Sequence, residues 1–468
     1  MAFNSLFFIF AFLPISLILY FITPKRLKTA VLVLISLVFY AWGTPQYIVL
    51  MLFSVVFNYC TGLEIDHYLS QERYTGAKVT MILAVIVNLL LLGFFKYYGF
   101  LIDSINAVTG LHLHYTELPL PLGISFYTFT VLSYILDVYN EKAPAQTNFL
   151  NCAAYVTFFP KVISGPIVQY HDMDEQLSER VMAPAKFGAG VNLFLVGLAK
   201  KVLIADNLGV AFGAISGLES MSVVTAWLGM IFYSLELYFD FSGYSDMAIG
   251  LAKMFGFNFD KNFNYPYLSH SISEFWRRWH ISLGAWFREY VYIPLGGNRC
   301  STAKVVRNLA IVWLLTGLWH GAAWNFILWG LYHGAFVMLE RFVLKDFLEK
   351  IPKPIRIFGT VLLVFFGWVL FFSPSLGSAL HYYGQMFGAG HMGFLDATAK
   401  YYLSGNVWLL LIAIIGCGPI VQRLHQRLCY WKGGAFRYIS LAAYAIALIL
   451  CVAYLLGTTY SSFLYFQF

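Results

Sequence analysis

Charged residues are scarce in this sequence. Only 11% of its 468 residues are Asp, Glu, Lys or Arg, whereas about 25% is usual for a soluble domain. Hydrophobic residues make up 60% of the chain and aromatic residues 19%. A soluble fold has too little interior to bury so much apolar surface. The composition therefore excludes a soluble globular protein and predicts an integral membrane protein.

Motifs for several common chemistries are also missing. The six cysteines contain no C-x-x-C pair, so sites for zinc, for a metal cluster or for a disulfide lack support. We expect these cysteines to act as small buried hydrophobic residues. No G-x-S-x-G, P-loop or H-E-x-x-H motif occurs, which excludes serine hydrolases of that type, P-loop ATPases and zincins. We predict no metal site. The net charge of +7 is modest, and no motif supports binding to nucleic acid.

Long apolar runs are what the sequence has in quantity. Several approach the roughly 20 residues needed to cross a hydrocarbon core of about 30 Å. The clearest runs are Leu6–Ile22, Ala30–Val56, Val79–Phe95, Val361–Phe372 and Ala442–Leu456. We count roughly ten to twelve such segments, some too short to span, with short hydrophilic breaks and no internal repeat. The predicted fold is all-α, a polytopic transmembrane bundle with re-entrant or interfacial helices around a central cavity, in one domain over residues 1–468.

Basic residues predict the orientation of the bundle. The first apolar run has no basic residue before it and no cleavage site after it, so we expect no secretory signal. Lys25, Arg26 and Lys28 follow that run instead, which places this loop in the cytoplasm and the N-terminus outside. The basic segments 277–307, 341–356 and 423–437 are likewise predicted to be cytoplasmic. The segment 373–405 has one basic residue and is expected outside.

One charged segment, Ser271–Arg299, is unusual for a spanning helix. Ser271 and Glu274 form a capping-box pattern that predicts a helix start, and Pro294 with Gly296–Gly297 predicts its end. Between these points the segment contains, among tryptophans, Glu274, Arg277, Arg278, His280, Arg288 and Glu289. Such a helix cannot cross lipid unaided, so we expect it at the interface or inside a protein-lined cavity.

His320 is the first candidate for chemistry. It lies at the end of the apolar run Asn308–Trp319. Twelve helical residues rise about 18 Å, which is past the middle of the bilayer if the run begins at the cytoplasmic face. An imidazole at that depth is costly unless it faces a cavity or a partner, which indicates function. The alternative is a histidine hydrogen-bonded inside the bundle.

His280 is the second candidate. It follows Trp276 by four residues, on the same face of the predicted helix, and Arg277 and Arg278 precede it. One interpretation is a second imidazole facing the cavity, with the arginines beside an anionic ligand. The other is an amphipathic interfacial helix whose charges meet lipid headgroups.

Acidic residues lie between two apolar runs, in the segment Phe239–Gly250. Asp240 and Asp246 in this segment, with Glu236 nearby, could pair with the two arginines at 277–278 or orient a histidine. A structural ion pair within the bundle is the alternative that we favour. The pair His391 and Asp396 matches an H-x-x-x-x-D spacing, which we attribute to chance.

Five segments together resemble a known family. They are Pro121–Phe129 (PLGISFYTF), Ser164–Tyr170 (SGPIVQY), Phe239–Gly250 (FDFSGYSDMAIG), Ser271–Arg299 and Trp319–Gly334. Their content and order resemble the AlgI-type branch of the membrane-bound O-acyltransferase (MBOAT) family, which also includes PatA-type and D-alanyl transfer (DltB) proteins. The run Arg277–Gly297 and the W-H-G of Trp319–Gly321 are the most specific parts.

The resemblance implies an activity and its residues. In the family the W-H-G histidine is the presumed catalytic residue, which corresponds to His320, and the R-x-W-H histidine corresponds to His280. Contacts to substrate or donor are expected from Trp276, Arg277, Arg278, Trp319, Asn325 and Asp240. Such proteins move an acyl group, usually acetyl, from a cytoplasmic donor to an extracytoplasmic polysaccharide.

Further expectations follow from the same resemblance. Acetyl-CoA is the expected donor, with no cofactor bound. The expected partner is an extracytoplasmic SGNH-hydrolase-like protein, and the expected location is the bacterial inner membrane. Two alternatives stay open: transfer of D-alanine to teichoic acid, and a polysaccharide exporter or transporter. Transporters usually show repeats, and the sequence has none.

Overall fold

The apolar runs of the sequence form helices, which satisfy their own backbone polar groups in lipid. The computed structural model describes residues 1–116 and 118–457, without the side chains of residues 429–433, 435 and 437. Within this part no strand occurs. Seven helices in it are long and apolar enough to span: Lys25–Gly43, Pro45–Ser70, Tyr74–Thr109, Pro184–Ser216, Lys353–Phe372, Ala397–Gly416 and Tyr438–Gly457. The apolar helices Phe8–Ile22 and Ile124–Tyr139 are shorter. The predicted all-α polytopic fold is confirmed.

The first compact unit comprises residues 1–194 and 247–260. Its helices are α1 Leu13–Ile22, α2 Lys28–Gly43, α3 Ile48–Ser70, α4 Tyr74–Thr109, α5 Ile124–Tyr139, α6 Phe149–Thr157, α7 Phe159–Val162, α8 Tyr170–Ser178 and the start of α9 Pro184–Ala199. The amides of Asn58 and Asn88 bond each other between α3 and α4, with N···O distances of 3.1 and 2.8 Å. Such paired amides hold helices together in lipid, where they have no water to bond.

The second unit comprises residues 195–246 and 261–468, of which the structure describes those up to 457. Its helices are α10 Asp206–Ser216, α11 Val223–Met254, α12 Ile272–Arg278, α13 Ile281–Phe287, α14 Thr302–His320, α15 Trp324–Phe342, α16 Lys345–Lys350, α17 Lys353–Phe372, α18 Leu376–Met386, α19 Ala397–Gly416 and α20 Ile420–Gly457. The last eight residues of α11, residues 247–254, belong to the first unit. The core of the second unit includes aromatic side chains from α11, α12, α15 and α17.

Two sequence predictions need adjustment here. Cys60 on α3 is exposed and Cys300 is half-buried, so only part of the cysteines are buried hydrophobes; the Cys429 side chain lies outside the described part. The basic segment 423–437 belongs to α20, whose 38 residues extend about 57 Å, well beyond a hydrocarbon core. The side chains of Lys432 and Arg437 in this segment are among those that the structure does not describe.

Candidate active site

Glycines bring α14 and α15 into backbone contact, and this contact fixes the end of α14. A Cβ atom on Gly330 would lie 2.4 Å from the carbonyl oxygen of Trp313, and one on Gly317 would lie 2.5 Å from that of Phe326. Small residues at such crossings let two membrane helices approach closely. The three residues Gly321–Ala323 connect the helices. The hairpin therefore holds the last residue of α14, His320, in a defined place.

His320 is enclosed by aromatic rings. The residue is only 4% exposed. Its ring centroid lies 5.0 Å from that of Trp319, 4.8 Å from Trp329 and 5.3 Å from Phe371, each in an edge-to-face arrangement. We expected an imidazole that faces a cavity or a partner, and this one packs against three aromatic rings.

The charged helix predicted over residues 271–293 is interrupted at His280. Helix α12 ends at Arg278, α13 begins at Ile281, and a π-helical turn follows at Arg288–Tyr292. His280 has a φ of 45°, a left-handed conformation that is uncommon outside glycine and clusters at functional sites. The prediction that His280 and Trp276 share a helical face is therefore wrong, because one regular helix does not connect them.

His280 lies close to the other candidate histidine through one shared neighbour. It is 2% exposed, and its ring centroid lies 5.9 Å from that of Trp319 and 4.7 Å from that of Phe241. Trp319 also contacts His320. Burial lowers the pKa of His280 to about 3, so its imidazole is neutral at physiological pH. The structure thus brings the two predicted histidines into contact with the same indole ring.

Asn262 is a site residue that the sequence analysis missed. Its side-chain oxygen accepts a hydrogen bond from the backbone N–H of Ser282 at 3.0 Å, and lies 3.3 Å from Nδ1 of His280. It is 1% exposed. Asn262 precedes His280 by 18 residues, and no motif relates the two positions. Only the fold reveals the contact.

Trp276 belongs to an aromatic cluster that also contains a third histidine. Its ring centroid lies 5.4 Å from that of Trp329 and 4.9 Å from that of His333. His333 is fully buried, and neither of its ring nitrogens has a hydrogen-bond partner within the described part of the chain. No sequence motif distinguishes His333 from the other histidines. Trp276 supports the ring of Trp329, which in turn contacts His320.

The two arginines before His280 have different environments. Arg277 is exposed. Arg278 forms an ion pair with Glu274, with an N···O distance of 2.6 Å. Burial acts to raise the pKa of Glu274, but the backbone N–H of His270 and the guanidinium of Arg278 hold it below its usual value. Of the two, Arg277 is the one whose charge is available to a ligand.

The first turn of α12 is fixed from two sides. Ser271 accepts a hydrogen bond from the backbone N–H of Glu274 at 3.0 Å, as the capping pattern predicts. Glu340 on α15 accepts hydrogen bonds from the backbone N–H groups of Ile272 and Ser273. A carboxylate at a helix N-terminus is favourable because it meets unpaired N–H groups and the positive end of the dipole. Glu340 therefore anchors α12 to the hairpin.

Asp240 pairs with a lysine that the sequence analysis did not consider. Its Oδ1 lies 2.8 Å from Nζ of Lys201, and the same ammonium lies 2.7 Å from Oδ1 of Asp206. The π-helical turn Lys200–Ala205 shifts the helical register around Lys201. A pairing of Asp240 with the arginines of α12 is therefore wrong, and the alternative, an ion pair within the bundle, is what the structure contains.

Asn325 and a cavity lie next to the His320 site. The amide of Asn325 donates to the carbonyl oxygens of Leu370 at 3.3 Å and Ser373 at 2.9 Å, which satisfies the C-terminal end of α17. A cavity of about 580 Å³ begins there. It is lined by Phe212, Ser216, Leu218, Met221, Phe372, Ser373, Pro374, Gly377, Ser378, His381 and Tyr382. Phe371, adjacent to this wall, contacts His320.

Two other histidine–aspartate combinations lie outside this site. Nδ1 of His171 lies 2.9 Å from Oδ2 of the buried Asp137 in the first unit, a contact that the sequence did not indicate. Asp396 accepts hydrogen bonds from the hydroxyl of Thr225 and the backbone N–H of Ala399. Its carboxylate thus caps α19, and His391 is exposed.

Comparisons with known proteins agree with the motifs. Residues 46–383 match the family described as MBOAT, membrane-bound O-acyltransferase. The chain is 43% identical to the probable alginate O-acetylase AlgI of Azotobacter vinelandii over 419 residues, 89% of this chain and 84% of that protein. It is 39% identical to the protein of the same name from Pseudomonas putida over the full length of both. A peptidoglycan O-acetyltransferase of Helicobacter pylori is 35% identical, over 100% of this chain and 97% of that protein.

Proposed function

Because the chain belongs to the membrane-bound O-acyltransferase family, we propose that it transfers acetyl groups from acetyl-CoA for O-acetylation of an extracytoplasmic polysaccharide. The relatives named as alginate and peptidoglycan acetylating proteins align over most or all of the chain, which favours acetyl as the acyl group. Their substrates differ, so the proposal covers polysaccharides of either type. The observation that carries it is the placement of His320 and His280 against one indole ring, that of Trp319.

The proposed step is a base-assisted acyl transfer. A nitrogen of His320 takes the proton of the acceptor hydroxyl while the hydroxyl oxygen attacks the thioester carbonyl. A new C–O bond forms, the C–S bond breaks, and the proton passes to the departing coenzyme A thiolate. Imidazole is suited to this transfer near neutral pH. His280 is the second group able to hold or orient the proton.

The position of His320 on its helix supports the role of base. It is the last residue of α14, and the chain turns to extended backbone at Gly321. Helix C-terminal carbonyl groups favour a nearby positive charge, and aromatic rings whose faces meet the imidazole would act in the same sense. Both effects stabilise the imidazolium that forms when the ring accepts a proton. They oppose the cost of creating that charge in a buried place.

Two features support transfer from one side of the membrane to the other. The exposed Arg277 and the basic residues near it suit the phosphates of coenzyme A at a cytoplasmic face. The hydrophilic connections between the described helices are short, so none forms a domain that could hold a polymer. The proposal therefore includes an extracytoplasmic partner of the SGNH-hydrolase type, which would deliver the acetyl group to the polysaccharide. It places the chain in the bacterial inner membrane.

A reconstitution with labelled donors tests the proposal. The purified protein in liposomes is given acetyl-CoA with a radiolabelled acetyl group, and the candidate partner and polysaccharide are added outside. We expect label in the polysaccharide only when both proteins are present. A parallel reaction uses D-alanine on a carrier protein. Transfer of D-alanine without transfer of acetyl, or of neither, would refute the assignment.

A further inference from the structure

We propose that Asn262 is a positioning residue that holds His280 in one tautomer, with the proton on Nδ1 and Nε2 as the basic nitrogen. The tautomer follows from hydrogen-bond geometry alone. Its importance for acyl transfer rests on the function proposed above. Three donor groups surround one oxygen atom of Asn262, and all of them lie in the second unit.

The orientation of the Asn262 amide is fixed by a donor that cannot change its role. The backbone N–H of Ser282 points to Oδ1 of Asn262 at 3.0 Å, and the Ser282 hydroxyl lies 2.9 Å from the same atom. If the amide were turned over, its NH₂ group would face the backbone N–H, and two donors would meet. The oxygen must therefore lie on this side.

The ring nitrogen that faces this oxygen must donate. Nδ1 of His280 lies 3.3 Å from Oδ1 of Asn262. A neutral imidazole carries its proton on one nitrogen and a lone pair on the other, and the partner of one nitrogen sets the role of both. An acceptor oxygen at Nδ1 selects the Nδ1–H form. Nε2 is then the nitrogen that can accept a proton.

Asn262 is itself held firmly beside the interruption between α12 and α13. Its carbonyl oxygen accepts from the backbone N–H of Ile281 at 3.0 Å, and the N–H of Asn264 donates to the carbonyl oxygen of Arg278 at 2.9 Å. These two bonds bracket the left-handed residue His280. The side chain of Asn262 is shielded from water, which strengthens its hydrogen bonds. The segment thus stabilises the strained backbone and the tautomer together.

Burial disfavours a second proton on the His280 ring. The charged residues on the neighbouring helices are Glu236, Asp240, Asp246 and Lys253 of α11, Glu274, Arg277 and Arg278 of α12, and Lys304 and Arg307 of α14. Asp240 is paired with Lys201, and Arg278 with Glu274. Burial lowers the pKa of His280 to about 3. A neutral ring over the physiological range is the condition under which the choice of tautomer matters.

Replacing Asn262 by Asp separates positioning of the imidazole from support of the helix. Asn262→Asp retains an acceptor oxygen for the Ser282 N–H, so α13 keeps its support. A carboxylate opposite Nδ1 favours the imidazolium and raises the pKa of His280. Below that raised pKa the ring is charged and cannot accept a proton, so kcat should fall as pH is lowered through it. In the wild type His280 should contribute no such limb above about pH 4, and any fall in rate from protonation of His320 should occur in both proteins. A purely structural role for Asn262 predicts the same pH profile for both proteins.

Two further variants complete the test. Asn262→Ala removes the oxygen, and we expect kcat to fall about 10- to 100-fold, the usual effect of losing a group that orients a histidine. Ser282→Ala is the matched control, since it removes a neighbouring bond to the same oxygen and leaves the His280 contact; its rate should stay close to wild type. Equal losses in Asn262→Ala and Ser282→Ala would contradict positioning through His280.

NMR spectroscopy tests the tautomer of His280 without an activity measurement. In protein labelled with ¹⁵N-histidine, the ring-nitrogen shifts distinguish the two tautomers, and a His280→Gln spectrum assigns the signals. We expect the Nδ1–H form in the wild type and a mixture in Asn262→Ala. An Nε2–H form in the wild type would overturn the proposal, whatever the enzyme does. Absence of acetyl transfer with the Nδ1–H form present would instead count against the proposed function alone.

Discussion

Replacing His320 by Phe and by Ala separates the chemistry of its imidazole from its packing. The ring contacts three aromatic neighbours and the residue is 4% exposed. His320→Ala therefore opens a void, and we expect the free energy of unfolding to fall by about 3 kcal/mol. His320→Phe keeps a ring in the same place, so the loss should stay below about 1.5 kcal/mol. Neither side chain can accept a proton.

Both variants should lose most of their acetyl transfer. Removal of a general base usually costs about 10²- to 10⁴-fold in rate, which corresponds to about 2.7 to 5.4 kcal/mol in the activation barrier. Instability alone cannot mimic this loss. A protein stable by about 5 kcal/mol that loses 3 kcal/mol still has more than about nine molecules in ten folded. The two variants should therefore share the rate defect and differ in stability.

The assay compares purified His320→Phe, His320→Ala and His391→Ala at equal protein concentration. Acetyl transfer from radiolabelled acetyl-CoA is measured in liposomes with the partner and the polysaccharide present, and unfolding is followed by thermal denaturation of the same proteins in detergent. His391 is exposed, so His391→Ala should behave as wild type in both measurements. If His320→Phe retains more than a tenth of wild-type transfer, His320 is not the base. A rate defect confined to His320→Ala would show that packing, and not the imidazole, is what the reaction needs.

Three other outcomes are expected. Single cysteines placed in the basic segments 299–307, 341–356 and 423–437 of a cysteine-free variant should resist an impermeant maleimide in intact cells, and labelling of two of them would reverse the predicted orientation. Glu340→Ala should lower thermal stability by about 1–3 kcal/mol, since two backbone N–H groups of α12 lose a charged acceptor, whereas Glu340→Gln should recover part of that loss; no change in either would contradict the anchoring role. Lys201→Met should reduce the amount of folded protein more than a double replacement that also changes Asp240 to Asn, because the single change leaves buried carboxylates without their cation; equal losses would show that the pair is not coupled.

The fold class could be predicted because the property that determines it, a series of long apolar segments, is visible in the sequence itself. Lipid requires long apolar segments and helical backbone, and the runs that contain Val79 or Val361 show both in the sequence. His320 could be selected for a related reason, since an imidazole at the end of an apolar run is costly and therefore conspicuous. Both are properties of a single segment, and they can be recognised without knowing which segments contact each other in the fold.

The environment of His280 could not be predicted, because it depends on contacts between distant segments. No glycine or proline marks the interruption at Trp279–His280, so the pattern indicated one continuous helix. The left-handed backbone there is held by the segment around Asn262, which precedes it by 18 residues. In the same way, the partner of Asp240 is Lys201, and the π-helical turn near that lysine has no sequence signature. Helix-pairing geometry decides such contacts.

The glycine contact between α14 and α15 limits how substrates can reach His320. Two helices that touch backbone to backbone cannot slide or bend apart at that crossing without breaking it, so the hairpin side of the site is closed. The third ring around His320 is that of Phe371 on α17, and the next two residues, Phe372 and Ser373, belong to the wall of the 580 Å³ cavity. Phe371 is therefore the contact between the imidazole and the segment that lines this cavity, on a helix outside the hairpin.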